Sequence, residues 1–173
     1  MKCKLRLITI SSVLFTNVGC DQVTKEVARL YLSPAFSLSY LKGVVKLILA
    51  HNTGGFLSLG SQLPESIRFI LFSILVAIAL LSFILYVSLS NRLSTPMVIA
   101  YSLIIASGVG NHIYRLVFSG RVTDFILLSI GPFHTGIFNV ADVAGMVGAG
   151  LLLLQYIQLI VKYYSRDMYS KNS

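Results

Sequence analysis

The sequence predicts an all-α membrane protein, four transmembrane helices with a small β-sheet on the outer membrane face. Three observations carry that reading. The chain is 55% apolar and only 12% charged, roughly half the charged share of a soluble domain. Four stretches, Leu7 to Cys20, Phe69 to Asn91, Ser94 to Gly110 and Val143 to Val161, contain no Asp, Glu, Lys or Arg, and the last three approach or exceed the roughly 20 residues a helix needs to cross hydrocarbon. Between the first two stretches stands a β-prone run, Val44-Val45-Lys46-Leu47-Ile48-Leu49. No repeat, low-complexity linker or boundary interrupts the chain, so residues 1–173 read as one integral membrane domain.

The first span is placed over residues 5–27. Its basic start and the ending Asn17-Val18-Gly19-Cys20 also fit a signal peptide or a lipobox. Asn17 suits that role poorly and three further spans follow, so a retained helix is favoured. Asp21, Lys25 and Arg29 recur every four residues, an acid before a base and then another base on one face. From a start near Lys4, Asp21 lies about 25 Å along the axis, close to the outer edge of the hydrocarbon. Cys3 and Cys20 stand too far apart on one helix to bridge. His51, His112 and His134 lack helical zinc spacing, so no metal site or cofactor is implied.

An outer β segment is placed over residues 36–62, where Phe36, Leu38 and Tyr40 alternate with polar residues ahead of the β-prone run. The paired glycines of His51-Asn52-Thr53-Gly54-Gly55-Phe56 break periodicity and read as a turn or a point of close backbone approach. Pro64 to Arg68 leads into a second span at 68–90. The third, 95–116, starts near Pro96, tolerated in a first helical turn, and ends with Asn111 and Arg115 four apart on one face. Residues 118–137 read as a strand-like, surface-hugging connection. The fourth span, 139–162, opens with Asn139 and Asp142 three apart, and its Gly145, Gly148 and Gly150 suit close helix packing.

The formal net charge of +8 does not indicate nucleic acid, because the basic residues flank the apolar runs. Lys2, Lys4 and Arg6 precede the first, Arg92 separates the second and third, and Lys162, Arg166 and Lys171 follow the fourth. The positive-inside rule then puts both termini in the cytoplasm. Lys25, Arg29, Lys42, Lys46 and Arg68 run against it in the first outer segment.

With that topology Asp21, Lys25, Asn52, Asn111, Arg115, Asp124, Asn139 and Asp142 converge on the outer end of the bundle. Ionisable groups near a bilayer are costly and usually face the bundle interior or a wet cavity. For hydrolysis the attractive pair is Asp124 with Asp142: two neighbouring carboxylates share a proton, one activating water and the other protonating a carbonyl. Read singly, Asp124 is equally a solvated loop acid, Asp142 a helix-capping acid paired with Asn139, and Arg115 a snorkelling cation.

At these residues the chain resembles the bacterial lipoprotein signal peptidase family, signal peptidase II. The matches are Asp21-Gln22-Val23-Thr24-Lys25, Asn52-Thr53-Gly54-Gly55-Phe56, Gly110-Asn111-His112-Ile113-Tyr114-Arg115, Val122-Thr123-Asp124-Phe125 and Phe138-Asn139-Val140-Ala141-Asp142. Five in family order are far more specific than any one. The resemblance implies four transmembrane helices with an outer β-cradle, in the bacterial cytoplasmic (inner) membrane, with the active site near the outer face. It implies an aspartic endopeptidase that removes the signal peptide of a prolipoprotein before its diacylglyceryl-modified cysteine. Asp124 and Asp142 would be catalytic, Asn52, Gly54, Asn111, Arg115 and Asn139 would line or shape the site, and Asp21 and Lys25 would support it. Lipidated prolipoproteins and membrane lipids are the implied partners of a monomer, with globomycin-type cyclic peptides as inhibitors. Two departures stand out: Tyr114 where the family has an acid beside Arg115, and Gly55 where it has alanine. The first would remove a counter-charge from Arg115. The competing readings are a non-catalytic paralogue that binds signal peptides, and a small transporter using Asp142, which lacks support from repeats or a mid-bilayer acid.

Overall fold

The computed structural model describes residues 3–171, with side chains described through residue 165. Lys2 and the side chains of Arg166, Asp167 and Lys171 therefore lie outside the described residues. Four long helices dominate: α1 (Cys3–Tyr31), α2 (Glu65–Leu89), α3 (Thr95–Val117) and α4 (Val140–Lys171). The helices α2, α3 and, over Val140–Ser165, α4 are long and apolar enough to cross a membrane. Charged residues at both ends of α1 dilute its apolar centre.

The third helix is central, packing against α4, α1 and α2. Gly145 and Gly148 of α4 face it so closely that a Cβ on Gly148 would stand 2.7 Å from the Ala100 carbonyl. Small residues let backbones approach where lipid supplies no hydrophobic drive between helices. Gly150, grouped with them by sequence, meets nothing within 4 Å and does not belong to this contact. At the same level of α3, Ile10, Val87, Leu93, Val98 and Ile105 form an apolar cluster. The second helix is the least enclosed, and its side chains are exposed along most of its length, as suits contact with lipid. A π-helical turn over Ile70–Leu75 interrupts it near its start.

A four-stranded antiparallel sheet joins the helices at one end, in the order β1 (Leu38–Tyr40), β2 (Val45–Asn52), β3 (Val122–Ile130) and β4 (Phe133–His134). Residues 36–62 supply only half of it. The other half comes from the strand-like connection between α3 and α4. Asn52 pairs with Val122 and Ala50 with Asp124, so the β2–β3 ladder brings the glycine turn after β2 to the start of β3. Phe138 then bonds back onto β3 through both its N–H and its carbonyl, at Ile126 and Phe125. That clamp delivers the first turn of α4 to the side of Asp124.

Candidate active site

Five elements, α1, β2, α3, β3 and α4, place polar side chains in one place, and each does so for a local reason. On α1 the i, i+4 spacing stacks Asp21 over Lys25, whose Nζ donates to Asp21 Oδ2 at 2.7 Å, with both side chains 0% exposed. Arg29, on the same stripe, pairs instead with Glu26 at 3.1 Å. Gln22 also donates to Asp21 and to the Gly110 carbonyl, both at 3.0 Å. Lys25 Nζ donates a second bond, 2.7 Å, to Asn111 Oδ1 on α3.

At the start of α4, Asn139 is the N-cap. Its Oδ1 accepts the N–H of Asp142 at 3.0 Å, and Asp142 Oδ2 accepts the N–H of Asn139 at 3.1 Å, the reciprocal bonds of a capping box. Asp21 Oδ1 accepts the Ala141 N–H at 3.0 Å, satisfying a third donor of that helix end from across the bundle. Asn111 Nδ2 donates to Asp142 Oδ1 at 3.0 Å. Asn139 Nδ2 donates to Asp124 Oδ1 at 2.6 Å and to Asn111 Oδ1 at 3.1 Å. One asparagine thus touches both carboxyl groups.

Asp124 on β3 receives a further N–H from Asn52 Nδ2 at 2.9 Å, on its other oxygen. Asn52 closes a tight turn by accepting the Gly54 N–H at 2.8 Å and donating to the Gly55 carbonyl at 2.9 Å. Arg115, one turn beyond Asn111 on α3, donates to the Gly54 carbonyl and, at 3.1 Å, to that of Gly120. Asn52, Asn111, Arg115, Asp124, Asn139 and Asp142 all line one cavity of about 210 Å³. Gly54 sits behind this wall, held by Arg115 and Asn52, while Asp21 and Lys25 support it from the protein interior without lining it. Burial pushes the Asp124 carboxyl up to about 6, against the amide groups of Asn139 and Asn52 and the Lys25 charge, with the Asp142 charge adding to the rise. Two carboxyl groups on one such cavity can divide the labour of acid and base between them.

Comparison with known proteins matches this frame. A model of the family described as signal peptidase (SPase) II covers residues 13–158. The lipoprotein signal peptidase of Thermodesulfovibrio yellowstonii is 34% identical over 155 residues, 90% of this chain and 97% of that one. The chain belongs to the signal peptidase II family. That of Coxiella burnetii is 35% identical over 138 residues, covering 79% of this chain and 82% of the other. Among solved structures, a bacterial membrane enzyme determined by the in meso method at 2.3 Å superposes with a TM-score of 0.74 at 26% identity, over 87% of this chain and 88% of that one. Another at 1.9 Å gives 0.75 at 25% identity, over 86% and 92%. With three apolar helices of membrane length, this signal peptidase II member is a multi-pass membrane protein.

Its two departures from the family's usual motifs have structural accounts. Residues 114 and 115 are neighbours in sequence, but about 100° apart around a helix. Tyr114, 2% exposed, points away from Arg115 towards α1 and β3. Its hydroxyl accepts from Thr123 Oγ1 at 3.2 Å and donates to Glu26 Oε1 at 3.4 Å, and its ring lies 5.2 Å from Lys25 Nζ. The expected loss of a counter-charge at Arg115 therefore does not follow, since this position does not face that guanidinium. Tyr114→Phe leaves the buried Thr123 hydroxyl without this partner, and a loss of about 1–3 kcal/mol is expected. The added change Thr123→Val removes the orphan, so thermal melts of the double variant recover most of that loss.

At Gly55 an added Cβ would lie 3.1 Å from the Phe72 ring, so the glycine makes room for that phenylalanine. Phe72, from the π turn of α2, lines the cavity with the acids. Sequence offered no signal for it, because it sits inside a uniformly apolar run. The neighbouring Gly54 is more constrained still. A Cβ there would collide with the Leu59 carbonyl and stand 2.7 Å from that of Ser58, and backbone cannot swing aside as a side chain can. Gly54→Ala is expected to displace the turn that holds Asn52 and Arg115 and to lower turnover about 10²-fold. Gly150→Ala, with open space around it, serves as the neutral control in the same cleavage assay.

Proposed function

We propose that this chain is an intramembrane aspartic endopeptidase that removes the signal peptide of a diacylglyceryl-modified prolipoprotein, cutting just before the lipidated cysteine. The observation that carries the reading is the single cavity shared by Asp124 and Asp142, with Asn139 bonded to both. The pair shares one proton, which this reading assigns to Asp124, whose carboxyl burial and the charge of Asp142 raise. Asp142 takes a proton from water, the resulting hydroxide adds to the scissile carbonyl carbon, and Asp124 gives its proton to the carbonyl oxygen. As the tetrahedral species collapses, the C–N bond breaks, the cysteine nitrogen takes up a proton from Asp142, and the hydroxyl proton returns to Asp124. The products are a signal peptide with a free carboxyl and a lipoprotein with a free cysteine amino group, and no covalent enzyme intermediate forms.

In this reading Asn52 and Asn139 fix the Asp124 carboxyl, Asn111 and the cap fix that of Asp142, Arg115 ties Gly54 to the site, and Asp21 with Lys25 braces Asn111 and the start of α4. The first helix is the fourth transmembrane span. Burial of its Lys25 beside Asp21 removes the largest charge obstacle at its outer end. The enzyme acts as a monomer in the bacterial cytoplasmic membrane, as one domain with both termini cytoplasmic, the dyad at the outer face and the sheet lying on that surface. Globomycin-type peptides occupy the cavity of the acids.

The test uses purified protein with a diacylglyceryl-modified precursor and its unmodified form. A single cut before the cysteine, only in the modified precursor and blocked by globomycin, is expected. Equal cutting of the unmodified form, or none of either, contradicts the reading.

A further inference from the structure

We propose that the arginine-lined cavity between the start of α2 and the end of α3 binds the headgroup of an anionic glycerophospholipid. This cavity, about 350 Å³, lies outside that of the acids, with Phe72 and Arg115 lining both. Arg68, Arg115 and Arg121 line it against a single acid, Glu65. Among the described residues no ion pair neutralises these groups, since the two salt bridges are Lys25 with Asp21 and Arg29 with Glu26. Arg68 donates to the Ser61 carbonyl and Arg115 to two others, which satisfies N–H groups but cancels no charge. Among the described residues the guanidinium of Arg121 makes no hydrogen bond. A second cavity of about 390 Å³ shares Arg121 and adds Arg29, so Arg121 stands between two basic hollows.

The surroundings select a lipid over a free anion. Phe69 and Leu116, 56% and 62% exposed, line the same cavity from the apolar surfaces of α2 and α3, where acyl chains would lie. The site sits where one membrane-length helix begins and another ends, the level at which headgroup phosphates would lie if those helices cross the bilayer. In the orientation proposed above, arginines here run against the bias of cations towards the cytoplasmic side, and a bound phosphodiester would offset their charge. Guanidinium groups bind phosphate oxygens in paired hydrogen bonds, a geometry that a zwitterionic headgroup offers without net attraction.

Native mass spectrometry of the full chain in detergent, titrated with phosphatidylglycerol, phosphatidylcholine or inorganic phosphate, tests this. Phosphatidylglycerol is expected to stay bound, while phosphatidylcholine does not bind comparably and inorganic phosphate does not displace it. Arg68→Gln and Arg121→Gln should each weaken retention about fivefold. Arg121→Gln alone keeps the test sound if the Arg68 variant misfolds, because no hydrogen bond among the described residues uses the Arg121 guanidinium. The pair Lys42→Gln and Lys46→Gln, which removes one charge from the turn between β1 and β2 and one from β2 itself, should leave retention unchanged. Equal retention of both lipids, displacement by inorganic phosphate, retention unaltered in Arg121→Gln, or an equal loss in the sheet variant would overturn the proposal.

Discussion

Replacing either Asp124 or Asp142 with asparagine is expected to lower turnover of a lipidated precursor by at least about 10³-fold, with the double variant little worse than either single one. The two acids act as a unit, so once one is gone there is no second effect to add. Shape is nearly preserved, but chemistry is not. Both Asp124 oxygens accept amide N–H groups, from Asn139 and Asn52, and both Asp142 oxygens accept N–H groups, from Asn111 and from the Asn139 backbone. An asparagine offers one acceptor where two are used, so a donor faces a donor, at about 1–3 kcal/mol of stability. Activity should therefore vanish in protein that still folds and still binds precursor. Wild-type cleavage by Asp124→Asn would remove the acid from the mechanism.

Lys25→Met is expected to cost about 3–5 kcal/mol of stability, read as a large drop in the melting temperature of the purified protein. Its partner Asp21 would be left charged and 0% exposed, with only the Gln22 amide and the Ala141 N–H to hold it. Adding Asp21→Leu removes the stranded charge, and most of the stability should return, because a buried pair contributes little relative to apolar groups of similar size. Activity should not return with it. Asn111 Oδ1 has then lost the Lys25 ammonium, and the first turn of α4 has lost its donor's acceptor at Ala141. Recovery of both stability and turnover would mean that the ion pair merely fills space.

How much of this was legible in the sequence depended on how locally each feature is encoded. Uncharged apolar runs revealed α2, α3 and most of α4 because a span is a property of consecutive residues. The cap of α4 was legible for the same reason: Asn139 and Asp142 are three apart, and their reciprocal bonds are local. So was the common face of Asn111 and Arg115. The sheet was half legible, since β2 announces itself by composition whereas its pairing with β3 joins Asn52 to Val122 across two helices. Local periodicity carries no such information.

Sequence proximity misled at Tyr114, which stands next to Arg115 in the chain but faces Thr123 and Glu26. Glu26, one residue off the face of Asp21, Lys25 and Arg29, pairs with Arg29 and meets Tyr114. Of the cations between the first two apolar runs that oppose the positive-inside expectation, Lys25 belongs to a buried pair with Asp21 and Arg29 to an exposed one with Glu26.

The sharpest measurement is the pH dependence of kcat/KM for cleavage of a diacylglyceryl-modified precursor. Asp124 must carry its proton to act as the acid, and its carboxyl titrates at about 6, so kcat/KM should fall about tenfold per unit above that pH. Substrate binding excludes water and raises this carboxyl further, so the limb in kcat should lie at higher pH than the limb in kcat/KM. A kcat/KM that stays level as the pH rises well past that value would contradict a shared-proton pair at Asp124 and Asp142.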